Sequence, residues 1–309
     1  MTNPILITGA SGYVGQAAFD AAVQAGYAVV GAYQRRQPAL SGGVWMPLDL
    51  RDAAGVARLI TDLRPAAIIH AGAAWGTPDE AQATIVDGTG AVVAAASHVG
   101  ARLIHLSTDV LFDGEHAPYR ESDPPAPITF YGAAKAAAEG IVAAYPNHAI
   151  VRTSLVTCFD PPDRSTAMVL RALGEPTREQ MSEWENGRER ERALSLSQSP
   201  PPPLAPAQPV MLFTDEYRSP VRTEDLAAAL VELIDHDYRG VLHVAGPERL
   251  SRYELGLRIA AYHGREPSPG IVPGTVADSG LIRPRDCTLD IGLARRILRT
   301  PLRLLPVHG

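Results

Sequence analysis

Residues 4–15 read Pro-Ile-Leu-Ile-Thr-Gly-Ala-Ser-Gly-Tyr-Val-Gly, and this stretch decides the fold. The apolar residues 4–7 predict a short buried strand, and the Ala-rich segment after Gly15 predicts a helix that ends at Gly26. A glycine turn between strand and helix lets backbone amides approach a pyrophosphate and directs the positive end of the helix at its charge. The order of these elements therefore predicts a dinucleotide-binding turn rather than a purely structural one.

The chain beyond this turn continues to alternate between strand and helix. Strand-like segments separated by helix-length spans are found at residues 28–32, 67–70, 102–107 and 149–152. Such alternation predicts an α/β fold with a Rossmann-type, doubly wound parallel sheet. Ligands of such sheets bind beyond the carboxyl ends of the strands, where the glycine turn, residues 71–74 and Thr108 are expected to meet.

The domain organisation follows from the extent of this pattern. Residues 1–157 are predicted to form an NAD(P)-binding Rossmann domain, and residues 158–309 mainly a smaller C-terminal substrate-binding domain. An insertion at about residues 160–210 contains a charged run and the consecutive prolines 200–203. Its hydrophobic content is too low for an independent fold, so we expect a flexible, proline-rich segment.

A single lysine, Lys135, stands four residues after Tyr131, whereas every other member of the 28 lysines and arginines is an arginine. Residues four apart share one face of a helix, so we expect the ammonium to lie near the phenol and to lower the pKa of Tyr131. An ammonium is also a compact point charge that a planar guanidinium does not reproduce. The pair is therefore a candidate for proton transfer.

The end of the second strand predicts the cofactor. Enzymes that select NAD place an acidic residue there for the ribose 2′-hydroxyl, whereas an arginine can accept a 2′-phosphate. This chain reads Tyr-Gln-Arg-Arg at residues 33–36, with Arg35 and Arg36 where the acid would stand. We therefore expect NADP(H), while NAD(H) stays open.

The motifs Gly9-x-x-Gly12-x-x-Gly15 and Tyr131-x-x-x-Lys135 together resemble the extended short-chain dehydrogenase/reductase superfamily. Residues 106–114 (Leu-Ser-Thr-Asp-Val-Leu-Phe-Asp-Gly) and 215–221 (Asp-Glu-Tyr-Arg-Ser-Pro-Val) are similar to its dTDP-4-dehydrorhamnose reductase branch, the RmlD-like sugar-nucleotide-binding proteins. The resemblance covers most of the chain. It implies an enzyme, an NADPH-dependent oxidoreductase that reduces a keto group on a nucleotide-linked sugar.

The resemblance also implies roles for individual residues. Tyr131 would supply a proton to the carbonyl oxygen, Thr108 a hydrogen bond to the same oxygen, and Lys135 a contact to the nicotinamide ribose. Besides Tyr131 and Lys135, the residues implied for the cofactor are Gly9, Ser11, Gly12, Tyr13, Val14, Gly15, Arg35, Arg36, Asp49, Leu50, Ala71, Gly72 and Ala73. The residues implied for the substrate are Asp109, Arg218, Ser219 and Arg283.

Three positions depart from the pattern of that branch. Asp87 stands where the family usually has an asparagine, Leu155 where a tryptophan is common, and Val110 where a tyrosine often follows Thr-Asp. Two other functions therefore stay open: a non-catalytic NADP-binding subunit, like the regulatory subunit of methionine adenosyltransferase, and a sugar-nucleotide epimerase.

Composition excludes several other classes. A net charge of −6 and a pI near 5.8 predict no nucleic-acid partner, and no apolar run is long enough to cross a membrane. The start of the chain lacks the pattern of a secretory leader, so we expect a cytoplasmic protein. The two cysteines and nine histidines show no metal-ligand spacing, which predicts no metal site. A homodimer stays open.

Overall fold

The computed structural model describes residues 3–39, 41–74, 76–174 and 208–307. The chain divides into two units. Unit 1 comprises residues up to 156 together with 216–250 and 280–305, and unit 2 comprises the described residues of 157–215, 251–279 and 306–309.

The strands and helices of the described residues are as follows. The strands are β1 (Ile5–Thr8), β2 (Val29–Tyr33), β3 (Val44–Pro47), β4 (Ala67–His70), β5 (Arg102–Thr108), β6 (His148–Thr153), β7 (Val156–Thr157), β8 (Val210–Phe213), β9 (Tyr217–Arg218), β10 (Val221–Arg222), β11 (Gly240–His243), β12 (Leu250–Ser251) and β13 (Ile271–Gly274). The helices are α1 (Tyr13–Gln24), α2 (Ala53–Leu63), α3 (Pro78–Ala81), α4 (Gly88–Val99), α5 (Phe130–Ala143), α6 (Arg164–Ala172), α7 (Thr223–Glu232), α8 (Arg252–Tyr262), α9 (Val276–Ser279) and α10 (Gly292–Ile297). A π-helical segment (Gln82–Asp87) joins α3 to α4, and a 3-10 turn (Asp109–Leu111) follows β5.

Within the described part of unit 1, seven strands form one parallel sheet in the order β11-β6-β5-β4-β1-β2-β3. The chain runs from β1 outward to β3 and then crosses to β4 on the other side of β1. The strand order therefore reverses between β1 and β4, which is where doubly wound sheets open a binding crevice. This sheet confirms the predicted Rossmann-type fold.

Alternate residues of the central strands face two apolar cores, one on each side of the sheet. Ile5 and Ile7 pack into one core with Phe19 of α1, and Leu6 packs into the other with Ile60 of α2. All five side chains are buried. Because successive side chains of a strand point to opposite faces, an unbroken apolar strand such as β1 requires helices on both faces.

Unit 2 contains a two-stranded parallel sheet of β8 and β13, with α8 packed against both strands. Helix α6 begins after Asp163, whose carboxylate accepts hydrogen bonds from the amides of Ser165 (2.6 Å) and Thr166 (3.2 Å). A side chain at this position satisfies amides that have no partner inside the helix. The amphipathic α6 then packs against α8.

The division of the chain differs from the predicted boundary at residue 157. The chain leaves unit 1 there but returns to it, because β11 pairs with β6 and α7 packs against α1. Leu226 and Leu230 of α7 belong to the same core as Phe19. The structure also differs from the prediction of a flexible insertion at about residues 160–210, because residues 164–172 near its start form a capped helix. Its residues 175–207 lie outside the described residues.

Two findings concern the described residues alone. None of their helices combines the length and the apolar character that a membrane span needs. No group of three or more histidine, cysteine, aspartate or glutamate side chains among them is arranged to hold a metal ion.

Candidate active site

A cavity of about 590 Å³ opens in unit 1 at the carboxyl ends of β1, β4 and β5. Sixteen of the predicted site residues line it. They are Gly9, Ser11, Gly12, Tyr13, Val14, Gly15, Asp49, Leu50, Ala71, Gly72, Ala73, Thr108, Asp109, Tyr131, Arg218 and Arg283. The topology explains this meeting, because each segment follows or faces the end of a central strand.

The glycine turn after β1 leaves room for a ligand at the start of α1. Gly9 has a φ of +68°, and a Cβ at Gly15 would lie 2.2 Å from the carbonyl oxygen of Gly9. Gly12 caps α1 without a side-chain hydrogen bond, and the first turn holds no acidic residue. The first turn of α1, with its backbone amides and the positive end of the helix dipole, lines the cavity, and this cradle fits the pyrophosphate of a dinucleotide.

The loop after β2 borders a neighbouring cavity of about 760 Å³ in the same unit. Arg35, Arg36 and Arg51 line it, while Ser11 and Gln34 line both cavities. Three guanidinium-bearing side chains around one space form a site suited to a phosphate group. The two predicted arginines thus lie beside the dinucleotide cavity and not within its lining.

Asp49 follows β3 and lines the 590 Å³ cavity with its neighbour Leu50. The Arg51 guanidinium donates to Asp49, with Nη2 2.6 Å from Oδ2, and this hydrogen bond holds the pKa of the Asp49 carboxyl well below its usual range. Leu50 packs against the loop after β4, since a Cβ at Gly72 would lie 2.3 Å from its Cδ1.

Tyr131 and Lys135 lie in α5, which begins at Phe130 after the cap Thr129. Tyr131 lines the cavity, whereas Lys135 is buried behind it and is not part of the lining. The Lys135 ammonium donates to the carbonyl oxygen of Leu106 on β5, at 2.5 Å. Burial lowers the pKa of Lys135 to about 8.

The expected lowering of the Tyr131 pKa is wrong for this structure. Burial raises the pKa of the phenol well above its ordinary value, and the nearby Asp109 carboxylate raises it further. Loss of water destabilises a phenolate, and here that penalty exceeds any benefit from the ammonium, which is directed at Leu106. Tyr131 is therefore protonated at neutral pH.

Asp109 links the 3-10 turn after β5 to the wall of the cavity. Its carboxylate accepts a hydrogen bond from Ser154 Oγ (2.5 Å) and lies 3.7 Å from Arg218 Nε. Thr108 Oγ1 is 3.4 Å from Asp109 Oδ1. Burial raises the pKa of Asp109, while the Arg218 guanidinium opposes that rise.

Of the predicted substrate residues, Arg218 is buried and already engaged. Its Nη1 donates to the carbonyl of Tyr217 (2.7 Å), its Nη2 donates to that of Pro284 (3.1 Å), and it forms an ion pair with Glu216 (3.1 Å). These contacts explain its position in the wall. They leave fewer N–H groups of the guanidinium for a diphosphate than the sequence suggests.

Ser219 and Arg283 occupy different environments. Ser219 is buried and is not among the residues that line the cavity, because its hydroxyl accepts from the amide of Leu289 and its own amide donates to Ser154 Oγ. Arg283 is partly exposed at the cavity, with Nε 2.8 Å from Glu216 Oε2.

Glu216 is a lining residue that the sequence interpretation missed. Its buried carboxylate lies between Arg218 and Arg283. An available signal was its place two residues before Arg218 in the stretch 215–221. Val110 and Leu155, two of the departures from the family pattern, also line the cavity and supply apolar surface there. The third, Asp87, ends the π-helical segment and accepts from Gln82 Nε2 (2.9 Å).

Comparison with known proteins agrees with this geometry. The beta subunit of methionine adenosyltransferase 2 from Bos taurus is 26% identical over 97% of this chain and 85% of that protein. A solved structure described as a hypothetical dTDP-4-dehydrorhamnose reductase from Sulfolobus tokodaii is 28% identical, covers 98% of both chains and superposes with a TM-score of 0.76.

A dTDP-4-dehydrorhamnose reductase from Bacillus anthracis, solved in complex with NADP, has the same fold. It is 23% identical, with 97% of this chain and 94% of that one covered and a TM-score of 0.72. The family model described as the RmlD substrate binding domain matches residues 2–187, which is more than half of the 309 residues. The chain therefore belongs to the RmlD substrate binding domain family.

Proposed function

We propose that this protein is an NADPH-dependent reductase of a keto group on a nucleotide-linked sugar, similar to dTDP-4-dehydrorhamnose reductase. One observation carries the proposal: Tyr131, Thr108 and Asp109 line the same 590 Å³ cavity as the glycine turn. A proton donor and a nucleotide cradle thus share one space. We assign the proposed enzyme to the oxidoreductases of the short-chain dehydrogenase/reductase type, EC 1.1.1.-.

The proposed cofactor is NADP(H), and NAD(H) is the alternative cofactor for the same site. When bound, it supplies the hydride. The glycine turn and the start of α1 hold the pyrophosphate, because their amides and the helix dipole attract negative charge. Arg35 and Arg36, which line the neighbouring cavity, would hold the 2′-phosphate, and Asp49 and Leu50 would hold the adenine end of the cofactor. Residues 71–73 form the wall after β4.

The chain's own acid-base groups complete the reduction. Negative charge develops on the carbonyl oxygen as it is reduced, and donors placed in advance stabilise that charge. Tyr131 gives its proton to this oxygen, because the phenol is protonated at neutral pH and the alkoxide that forms is a stronger base than the phenolate, even with the phenol pKa raised. Thr108 donates a hydrogen bond to the same oxygen. Lys135, for which the resemblance implies a contact to the nicotinamide ribose, lies behind Tyr131 with its amine at the Leu106 carbonyl and outside the cavity lining.

The substrate lies against the wall formed by Asp109, Glu216 and Arg283. Asp109 accepts hydrogen bonds from sugar hydroxyls, and Arg283 presents a partly exposed guanidinium to the diphosphate. Arg218 and Ser219 position this wall through their backbone and carboxylate contacts. The apolar side chains of Val110 and Leu155 favour a sugar face that carries few hydroxyls.

NADPH oxidation with a panel of nucleotide-linked 4-keto sugars tests the proposal. We expect absorbance loss at the cofactor band with at least one sugar, together with formation of the corresponding alcohol. A Tyr131→Phe variant, which keeps the cavity shape, serves as the control for background oxidation. Tight NADPH binding without turnover of any sugar in the panel would contradict the proposal.

A second candidate function is a non-catalytic, NADP-binding regulatory subunit. The similarity to the beta subunit of methionine adenosyltransferase 2 over 97% of the chain favours it. Thr108, Tyr131 and Lys135 are all present, which favours an enzyme. Stable association with a methionine adenosyltransferase catalytic subunit, in the absence of turnover, would select the regulatory function. The homodimer and the cytoplasmic location stay predictions.

A further inference from the structure

Two histidines lie side by side in the sheet of unit 1, behind the lysine of the proposed active site. His70 of β4 and His105 of β5 are register partners, their ring centroids are 5.3 Å apart, and both side chains are fully buried. Neither has a part in the proposed reaction. Buried imidazoles are uncommon enough to need a physical explanation.

His70 is explained by its hydrogen bonds. Its Nδ1 lies 2.6 Å from Thr8 Oγ1, and its Nε2 lies 3.0 Å from Thr89 Oγ1. Both ring nitrogens therefore have hydroxyl partners, and a neutral imidazole suits both. This residue joins β1, β4 and α4 and needs no further role.

His105 has a different environment. Its Nδ1 is buried and has no hydrogen-bond partner among the described residues, whereas its Nε2 lies 3.4 Å from the Nζ of Lys135. Lys135 Nζ also donates to the Leu106 carbonyl at 2.5 Å. The ring is thus held in the core with one nitrogen directed at the amine of the only lysine in the chain.

No carboxylate within the described ranges forms an ion pair with Lys135. Glu139, one turn further along α5, is bound by Arg152 of β6, with Oε2 2.8 Å from Nη2. Asp109 of the 3-10 turn is bound by Ser154.

The π-helical segment and α3, which also pack against α5, provide no ion-pair partner for Lys135 either. Asp87 of the π-helical segment accepts from Gln82. The acidic residues of α3, Asp79 and Glu80, are exposed, and Glu80 accepts from the amide of Thr77. The acceptors that hold the amine are therefore the Leu106 carbonyl and the His105 ring.

We propose that His105 is a positioning residue: its Nε2 accepts a hydrogen bond from Lys135, fixes the amine behind Tyr131 and sets the pH at which the amine loses its proton. The catalytic consequence rests on the proposed function, but the contact itself does not. Lys135 provides the charge, and His105 acts only through Lys135.

The direction of the effect follows from solvation. Burial lowers the pKa of Lys135, to about 8, because a buried ammonium has lost its water, and the nearby Glu139 carboxylate opposes part of that fall. An acceptor at hydrogen-bond distance stabilises the charged form and opposes that loss. Removal of the His105 acceptor should therefore lower the pKa of Lys135 further, while a replacement that keeps an acceptor at the Nε2 position should not.

The single lysine makes a direct test available. Protein grown with ¹³Cε-lysine gives one lysine resonance, and its shift against pH reports the titration of Lys135 without substrate or turnover. His105→Leu removes the acceptor and His105→Gln keeps one near the Nε2 position. His148→Leu removes another buried histidine, on β6, whose Nδ1 contacts the Tyr145 carbonyl and not the lysine.

We expect the midpoint to fall by about one pH unit in His105→Leu and to stay at the wild-type value in His105→Gln and His148→Leu. An unchanged midpoint in His105→Leu would overturn the proposal. So would a wild-type midpoint near the ordinary lysine value of about 10.4. If His105→Leu does not fold, ¹⁵N-histidine spectra of the wild type test the proposal instead. The chemical shift of His105 Nε2 should then change at the same pH as the Lys135 resonance. A His105 shift that does not follow the Lys135 titration would overturn the proposal.

The pH profile of NADPH oxidation separates this proposal from the proposed function. In His105→Leu the alkaline limb of kcat should move with the lysine midpoint, and His105→Gln should restore it. A moved resonance in a protein that reduces no sugar would support the positioning role and contradict the reductase. Turnover with an unmoved resonance would support the reductase and contradict the positioning role.

Discussion

Burial governs the acid-base behaviour of the side chains around the cavity. It raises the pKa values of Tyr131 and Asp109 and lowers that of Lys135 to about 8. In each case the loss of water disfavours the charged form. Tyr131 is therefore protonated at neutral pH, and the ammonium behind it loses its proton closer to neutral pH than an exposed lysine does.

Tyr131→Phe removes the proton donor while the ring keeps its volume. We expect turnover to fall by about two orders of magnitude or more, since a positioned general acid contributes about that much. NADPH affinity should stay nearly unchanged, because the glycine turn and the arginine loop are untouched. Steady-state rates and a cofactor titration check this. Turnover near that of the wild type, on a confirmed substrate, would remove Tyr131 from the chemistry.

Arg35→Asp with Arg36→Asp tests the cofactor preference. The change replaces positive charge beside the 760 Å³ cavity with carboxylates that repel a 2′-phosphate and can accept from a 2′-hydroxyl. We expect the ratio of NADPH to NADH affinity to fall by at least about tenfold, as expected for loss of charge-assisted hydrogen bonds. Titration of both cofactors into both proteins measures it, and an unchanged ratio would contradict the assignment.

Lys135→Met should stabilise the fold near neutral pH while it abolishes turnover. The folded pKa of about 8 lies below the ordinary lysine pKa of 10.5, so the unfolded chain binds the proton more tightly. Stability from this group is therefore present above pH 10.5 and is lost as the pH falls through 8. The wild type then carries a penalty of roughly 3 kcal/mol at pH 7 that methionine removes.

Urea unfolding of both proteins between pH 7 and pH 10 measures this effect. The stability difference should be largest near pH 7 and shrink as the pH rises. A constant difference over that range would contradict the titration of a buried lysine.

At the scale of elements, β1, the glycine turn and α1 form one strand-turn-helix motif. The turn brings α1 against β1 so closely that glycine is required at residue 15, where a Cβ would lie 2.2 Å from the Gly9 carbonyl oxygen and 2.8 Å from Ala10 Cα. Backbone atoms cannot move aside as a flexible side chain can. The same close approach leaves the helix amides open to the cavity.

Gly15→Ala should therefore abolish NADPH binding or destabilise unit 1 by several kcal/mol, as overpacking against backbone does. Gly140→Ala is the matched control, because Gly140 also lies in a helix but a Cβ there meets no atom within 4 Å. That control should gain about 0.5–1 kcal/mol from helix propensity. Thermal unfolding and cofactor titration of both variants compare them. Normal binding by Gly15→Ala would contradict the tight turn.

At the scale of the whole molecule, unit 1 is assembled from three separate stretches of chain. Residues 216–250 return to it with α7 and β11, which cover the sheet and extend it beyond β6. Leu226, Leu230 and Leu233 of this return are fully buried in its core. A Rossmann domain that ended at residue 157 would lack all of this apolar cover.

The fragment of residues 1–157 should consequently fail to fold as an independent domain. It would expose the edge of β6 and the apolar face of α1 that α7 covers, and exposed edges and patches lead to aggregation. Soluble yield, dye binding and thermal unfolding of the fragment beside the full chain measure this. A cooperative transition in the fragment would show that unit 1 does not need its later stretches.

The sequence by itself determined the alternation of strands and helices, the parallel sheet and the glycine cradle. These features follow from local periodicity and from backbone conformations that few residues adopt, so they can be read within short windows. It also selected Thr108, because segments that follow parallel strands meet at one edge, and Tyr131, because it stands four residues before the single lysine. Asp109 was implied by the family resemblance.

Only the tertiary structure decided which distant segments pack together and what each side chain then loses in solvation. The return of α7 and β11, the burial of Arg218, the contact of Lys135 with His105 and the raised pKa of Tyr131 all depend on long-range contacts. Spacing along a helix places Lys135 and Tyr131 on one face. It does not reveal that the ammonium is directed into the sheet, because that direction is set by a carbonyl and an imidazole about 30 residues earlier in the chain.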